Sequence, residues 1–150
     1  MVHALNGMII RMLKAEKEQH STFEIWGSGI PIREWIYVED VANLLSLGID
    51  RNLQLQEPLN LAQGQGYSIR ESAMMIAKAI GFRGEIVFRT DYPDGAARKI
   101  MDTYRFRHIF GNYQFMDHYD AICKTVDYYR SILFKPVKGQ GNNAYAKVSG

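Results

Sequence analysis

The sequence predicts an α/β fold in which short strands are covered by helices, on three observations. Apolar residues recur at helical spacing in five segments. Four brief runs rich in β-branched and aromatic residues lie between them. Glycine and proline punctuate the junctions. Length and composition agree with one ordinary domain: 150 residues, 47% hydrophobic and 23% charged, close to the globular average.

Leu5, Met8, Ile9, Met12 and Leu13 form a helical stripe over 4–18, with Glu16, Lys17 and Glu18 toward its wet end. Phe23-Glu24-Ile25-Trp26 alternates like a strand and stops at Gly27-Ser28-Gly29. Pro31 bars helix there, and Trp35-Ile36-Tyr37-Val38 is predicted as a second strand. Asp40 opens a helix through Val41, Leu44, Leu45 and Gly48. Pro58-Leu59-Asn60-Leu61-Ala62 is predicted as a buried strand, closed by the turn Gly64-Gln65-Gly66. Ser68 with Glu71 three residues on makes a capping box, and Gly81 is the stop for the helix that follows. Glu85-Ile86-Val87-Phe88 is the fourth strand, and Tyr92-Pro93-Asp94-Gly95 is a turn by composition. A short helix over 103–110 ends at Gly111. The last helix, 117–134, sets Tyr119, Ile122, Cys123, Val126, Tyr129, Ile132 and Leu133 on one face. His118 is expected at the surface, Cys123 in the core, and Asp117, Asp120 and Asp127 on a solvated face. The chain divides into a body, 1–134, and a flexible basic tail, 135–150.

Charge and motifs exclude several function classes. The net charge is +2, but residues 135–150 hold Lys135, Lys138 and Lys147 and no acid. Without them 15 basic residues face 16 acidic ones, a charge of −1. A near-neutral body argues against nucleic-acid binding. No apolar run approaches the ~18–20 residues that span a bilayer, so no membrane partner is expected. The start lacks the marks of a signal peptide, and the single cysteine excludes an internal disulfide framework; both fit a cytoplasmic protein. His3, His20, His108 and His118 are scattered, with no metal-ligand spacing. Neither Gly27-Ser28-Gly29 nor Gly64-Gln65-Gly66 supplies the third glycine of a dinucleotide loop; both read as turns.

One constellation could carry chemistry. Trp26 closes a strand before two glycines, Arg33 lies seven residues on, and Arg98, Lys99 and Asp102 follow Pro93-Asp94-Gly95. An indole face, a guanidinium fork and a carboxylate suit a nucleoside diphosphate: base or sugar on the ring, pyrophosphate on the fork, ribose or base N–H on the carboxylate. Spacing alone favours the plainer alternative, with Trp26 in the core and the charged residues on the surface.

These same stretches resemble a known family. Trp26-Gly27-Ser28-Gly29-Ile30-Pro31-Ile32-Arg33-Glu34-Trp35-Ile36-Tyr37-Val38-Glu39-Asp40, then Asn60-Leu61-Ala62-Gln63-Gly64, Ser68-Ile69-Arg70-Glu71 and Pro93-Asp94-Gly95-Ala96-Ala97-Arg98-Lys99-Ile100-Met101-Asp102 stand in the order seen in extended short-chain dehydrogenase/reductases. Those are the nucleotide-sugar enzymes of the NAD-dependent epimerase/dehydratase family. The resemblance runs from about Val2 to Leu133 and covers that family's C-terminal, substrate-binding lobe, without its N-terminal Rossmann half. Trp-Gly-Ser-Gly together with Pro-Asp-Gly-x-x-Arg-Lys narrows it toward the fucose synthase branch. It implies substrate-binding roles for Trp26, Arg33 and Asp102, and for Arg11 on the first helix. It implies capping and packing for Asp40, and leaves Arg98 and Lys99 without an assigned contact.

The family's glycine loop and its Tyr-x-x-x-Lys pair have no counterpart in this sequence: none of the nine tyrosines has a lysine four residues on. No catalytic, cofactor or metal residue is therefore assigned; NADP(H) or NAD belongs to the complete family enzyme. The expectation is a lobe that holds a nucleotide-sugar, a GDP-sugar first, inactive alone and completed by a separate N-terminal Rossmann half. The alternatives are a fragment of another sugar-nucleotide 4-epimerase or dehydratase, a stand-alone binding module, and a gene remnant.

Overall fold

The architecture follows from which faces the sequence leaves apolar. The computed structural model describes residues 4–134, and the expected tail at 135–150 lies outside them. Strand β1 (Thr22–Trp26) buries Phe23 and Ile25 and exposes Thr22, Glu24 and Trp26. It pairs in parallel with β4 (Glu85–Arg89), from Thr22 beside Glu85 to Trp26 beside Arg89. Helices α1 (Ala4–Lys17), α3 (Ile69–Ile80) and α5 (His118–Leu133) pack with this pair. Met8, Ile9, Met12, Leu13, Ile76, Ile122 and Val126 interlock there with Phe23 and Ile25. Each such aliphatic chain contributes about 1.5–3 kcal/mol by leaving water.

The helix ends use local chemistry. Ser68 Oγ accepts from Glu71 N at 3.1 Å, and the Glu71 carboxylate accepts from Ser68 N at 2.7 Å, so the predicted capping box forms. Gly81 closes α3 at φ +81°, a conformation that costs glycine little. Asp117 is solvated as expected and is also the N-cap of α5: its Oδ1 accepts from Tyr119 N and Asp120 N.

A second sheet has three strands of two residues each. β2 (Ile32–Arg33) is flanked by antiparallel β3 (Tyr67–Ser68) and parallel β5 (Arg98–Lys99). Beyond it, Leu44 of α2 (Val38–Asp50) meets Phe106 and Phe110 of α4 (Tyr104–Phe110), with Ile36, Leu59, Leu61 and Phe115 around them.

Two predicted strands are not formed. Trp35–Tyr37 is irregular, and Val38 already begins α2; the neighbouring strand is the two-residue β2. Residues 58–62 are also irregular, although Ala62 is buried. Their apolar residues feed the smaller core from loops. Asp40 does not cap α2. Its buried carboxylate accepts from Tyr113 Oη and Met116 N, each at 3.0 Å, and ties the connection between α4 and α5 to the start of α2.

Glu34 joins the parts. Its Oε1 accepts from the backbone N–H groups of Gln63 and Gly64, both at 2.7 Å, and its Oε2 from that of Met101 at 2.8 Å. One carboxylate thus satisfies three donors from two separate loops. Glu34→Gln offers an amide N–H where an acceptor is needed; we expect a loss of about 2–4 kcal/mol in urea unfolding.

His118 is buried, not at the surface: it is 6% exposed, stacked on Tyr67 at 4.1 Å and 3.5 Å from the buried Ser72 Oγ. Burial pushes its imidazole below the ordinary value of 6.5, against the pull of Asp117. The unfolded chain takes up a proton that the folded chain refuses. Stability is therefore full above the unfolded value and declines as the pH falls toward the depressed folded one. Urea midpoints should drop as the pH falls below the ordinary imidazole value of 6.5, and His118→Gln should flatten that slope.

Candidate functional site

The strand that sequence pattern identifies best ends at the residue that matters most. Trp26 is the last residue of β1 and points from its open face, 69% exposed. The alternative that put it in the core is excluded. One side of its indole is covered by Tyr92, stacked at 4.5 Å with 4° between the planes. The chain then turns sharply at Gly27, φ +87°. A Cβ there would collide with Asp94 Oδ1. The reason for that collision is a clasp: Asp94 Oδ1 accepts from Ser28 N at 2.8 Å and Oδ2 from Ser28 Oγ at 2.6 Å. These bonds also hold the Asp94 carboxyl below the ordinary carboxylate value. At the loop's base Arg89 bridges Glu24 and Asp91, at 3.0 and 2.9 Å.

Arg33 lies in β2, half-buried. Its Nη1 donates to Ile32 O and Ala96 O, both at 2.7 Å. Both bonds run through one nitrogen, so the fork is oriented while Nε and Nη2 stay available to an anion. The strand register sets Lys99 of β5 beside Arg33, and Tyr67 on its other side. Directly paired residues share a sheet face, so two cations stand together. A cleft of about 510 Å³ opens there, bounded by Arg33, Glu34, Leu61, Lys99 and Met101. That volume suits a small ligand. The motif that holds Lys99 gives it no role; its position beside Arg33 depends on the pairing of strands 66 residues apart, which no local pattern reveals.

The other two candidates stand apart. Asp102 is exposed, three residues beyond Lys99; its Oδ1 accepts from Tyr104 N at 3.0 Å at the start of α4, and its carbonyl accepts from Asn60 Nδ2. Arg11 is exposed on α1, with its guanidinium over the Phe23 ring at 5.1 Å. Phe23 is three residues from Trp26 along β1, roughly 10 Å. The structure therefore ties Trp26 and Arg33 to one loop, sets Asp102 past the end of β5, and leaves Arg11 toward the far end of β1.

The described residues do not fit a dinucleotide cofactor. Helix α3, which follows the Gly64-Gln65-Gly66 turn, has its N-terminus taken by Ser68 and the Glu71 carboxylate, which repels an anion. A Cβ at Gly66 would meet Ile32 and Ile100 side chains at 2.7 and 2.8 Å, so that glycine serves packing. Among the described residues no group of three or more His, Cys, Asp or Glu is arranged to hold a metal ion, and no helix is long and apolar enough to cross a membrane.

Comparison with known proteins gives one consistent direction. The model of the "NAD dependent epimerase/dehydratase family" matches residues 2–62. A Drosophila melanogaster protein, "Probable GDP-L-fucose synthase", is 35% identical over 135 residues, 85% of this chain and 42% of that protein. A solved GDP-L-fucose synthetase from Naegleria fowleri superposes with a TM-score of 0.80 at 28% identity, over 87% of this chain and 40% of that one. A GDP-mannoheptose C4 reductase from Campylobacter jejuni, solved with NADP bound, gives 0.70 at 25% identity, over 86% and 45%. The chain spans 32% to 42% of the length of the curated relatives it matches first.

The turn beside Trp26 is a direct target. Gly27→Ala places a side chain both at positive φ and against the Asp94 carboxylate. It should cost about 2 kcal/mol or more in urea unfolding, and lower the protection of the Ser28 amide in hydrogen exchange.

Proposed function

We propose that this chain, which belongs to the NAD-dependent epimerase/dehydratase family, is the C-terminal lobe of an extended short-chain dehydrogenase/reductase and binds a nucleotide-sugar, with a GDP-sugar as ligand. The observation that carries this reading is an exposed indole and an oriented guanidinium that both contact one loop: Trp26 stacked on Tyr92, and Arg33 held by Ala96 O. The free face of Trp26 offers the base a stacking surface. The unspent Arg33 donors, with Lys99 in register beside them, offer the diphosphate charge-assisted hydrogen bonds. Asp102 and Arg11 are the further contacts we assign, Asp102 as an acceptor for a ribose or base donor and Arg11 as a second cation. The GDP-sugar preference is supported by the relatives, several of which are named for GDP-L-fucose or GDP-L-colitose synthesis.

We assign the whole reaction, epimerisation and NADP(H)-dependent reduction of a GDP-keto-deoxy sugar, to this lobe together with a separate dinucleotide-binding half. Support comes from a groove of about 460 Å³ lined by Leu5, Trp35, Tyr37, Phe115 and Tyr128. Exposed Val38 and Tyr128 border it. Large exposed apolar side chains beside a groove are what a face that packs on further protein presents.

Titration with GDP should change Trp26 fluorescence, and Arg33→Lys should weaken the response by about tenfold, because an ammonium cannot replace the planar fork. UDP, CDP and dTDP should respond less. A chain blind to all four nucleotides would end the nucleotide-sugar reading. The chain alone should show no NADPH-dependent turnover of the keto-deoxy GDP-sugar, and co-expression with a Tyr-x-x-x-Lys half should give a co-purifying complex with activity. Turnover by the chain alone would overturn the two-part assignment.

A further inference from the structure

The Asp91–Ala97 loop touches both halves of the proposed nucleotide surface. At one end Tyr92 lies flat on Trp26. At the other the Ala96 carbonyl takes the Arg33 Nη1 hydrogen at 2.7 Å. Midway, the Asp94 carboxylate reaches a residue 66 positions away and accepts two hydrogen bonds from Ser28, one from its N–H and one from its hydroxyl.

The turn on the other side of this clasp is itself anchored. Ser28 Oγ accepts from Ile30 N at 3.1 Å, and the Ser28 carbonyl accepts from Arg70 Nη2 of α3 at 3.0 Å. Gly29 O accepts from Arg70 N at 2.9 Å. Arg70 also lies 3.7 Å above the Phe88 ring of β4. The turn is thereby tied to the larger helical layer. The loop reaches that layer through Asp94, through the Arg89–Asp91 ion pair at its base, and through the Trp26–Tyr92 stack. Of these, the Asp94 contact lies between the aromatic end and the guanidinium end. It is also the one that dictates a glycine at position 27.

We propose that Asp94 is a positioning residue: by clasping the loop to the Gly27–Ser28 turn, it sets the Trp26 ring and the Arg33 guanidinium in one fixed frame for a nucleoside diphosphate. The proposal rests on the nucleotide reading above. Its physical basis is preorganisation. A ligand that touches both a ring and a fork must order whatever connects them, and a connection already ordered costs nothing further on binding. Released from Ser28, the loop is held at its ends only, by the Arg89–Asp91 pair and by Ile32 N donating to Ala97 O at 2.9 Å. Between those ends Tyr92 and the Ala96 carbonyl gain freedom, so the ring's backing and one of the guanidinium's two carbonyl acceptors are no longer fixed.

The test uses the full chain in a Trp35→Phe background, where Trp26 is the sole tryptophan, with GDP as the probe. Without nucleotide, Asp94→Ala should raise acrylamide quenching of Trp26 about twofold while far-UV circular dichroism stays unchanged. With GDP, Asp94→Ala should raise the apparent Kd about tenfold, and Asp94→Asn, which keeps one acceptor oxygen, should fall between. The diagnostic is coupling: the penalty of Arg33→Lys should shrink in the Asp94→Ala background, because the fork has already lost its frame. A purely local structural role would leave the two effects additive, and additive effects or unchanged quenching overturn the proposal even where GDP binds the parent. If the parent does not bind GDP while quenching still rises, the role in nucleotide binding is overturned together with the reading it rests on, and the clasp remains a stabilising contact only.

Discussion

A single carboxylate governs how the small sheet and its loops meet. Glu34 follows Arg33 at the end of β2 and accepts three backbone N–H groups, from Gln63, Gly64 and Met101. Segments 60–66 and 98–103 contain little regular structure, so most of their donors have no ladder to join. Such donors must be satisfied if they are withdrawn from water. Because the carboxylate is spent on three donors, the chain at Glu34 can take one orientation only. The preceding residue, Arg33, has Lys99 paired beside it and is oriented by its own Nη1 bonds to Ile32 O and Ala96 O. Both side chains border the same cleft, the carboxylate holding the loops around it and the guanidinium offering donors.

The two apolar cores divide the work. The larger one locks β1 and β4 against α1, α3 and α5, and it carries Trp26 at the edge of a rigid strand. The smaller one gathers Leu44, Phe106 and Phe110 with side chains from loops, and it carries the segment that leads to Asp102. Side chains on regular elements are held more precisely than those on loops. That difference matches the site: Trp26 and Arg33 stand on strands, and the material that completes the surface stands on loops clipped to them by carboxylates, Asp94 to Ser28 and Glu34 to Gln63, Gly64 and Met101.

Legibility in the sequence followed the range of the interactions. The capping box at Ser68, the stop at Gly81 and the alternation at Phe23–Trp26 depend on neighbours a few residues away, and each forms as read. Trp35–Val38 and Pro58–Ala62 have strand-like composition but form no strand, because β-branched, aromatic and apolar runs describe burial, not pairing. Both feed the small core without joining a ladder. His118 was misread as a surface residue because it stands beside Asp117 in a polar stretch, whereas its burial comes from Tyr67 and Ser72, 51 and 46 positions earlier. Asp40 looked like a cap from its place at a helix start, but its partners Tyr113 and Met116 belong to a distant loop.

By itself the sequence determined the fold class, both ends of α3 and the residue types of the site, since periodicity, capping and glycine placement act within a turn or two of the chain. It also carried the family, because the motifs stand in a fixed order. Only the tertiary structure decided that Trp26 is exposed and backed by Tyr92, that Lys99 stands beside Arg33, and that Asp94 closes on Ser28. Each of those joins residues more than sixty positions apart, and contact at that range is settled by how the layers pack, not by any pattern that a stretch of sequence can display.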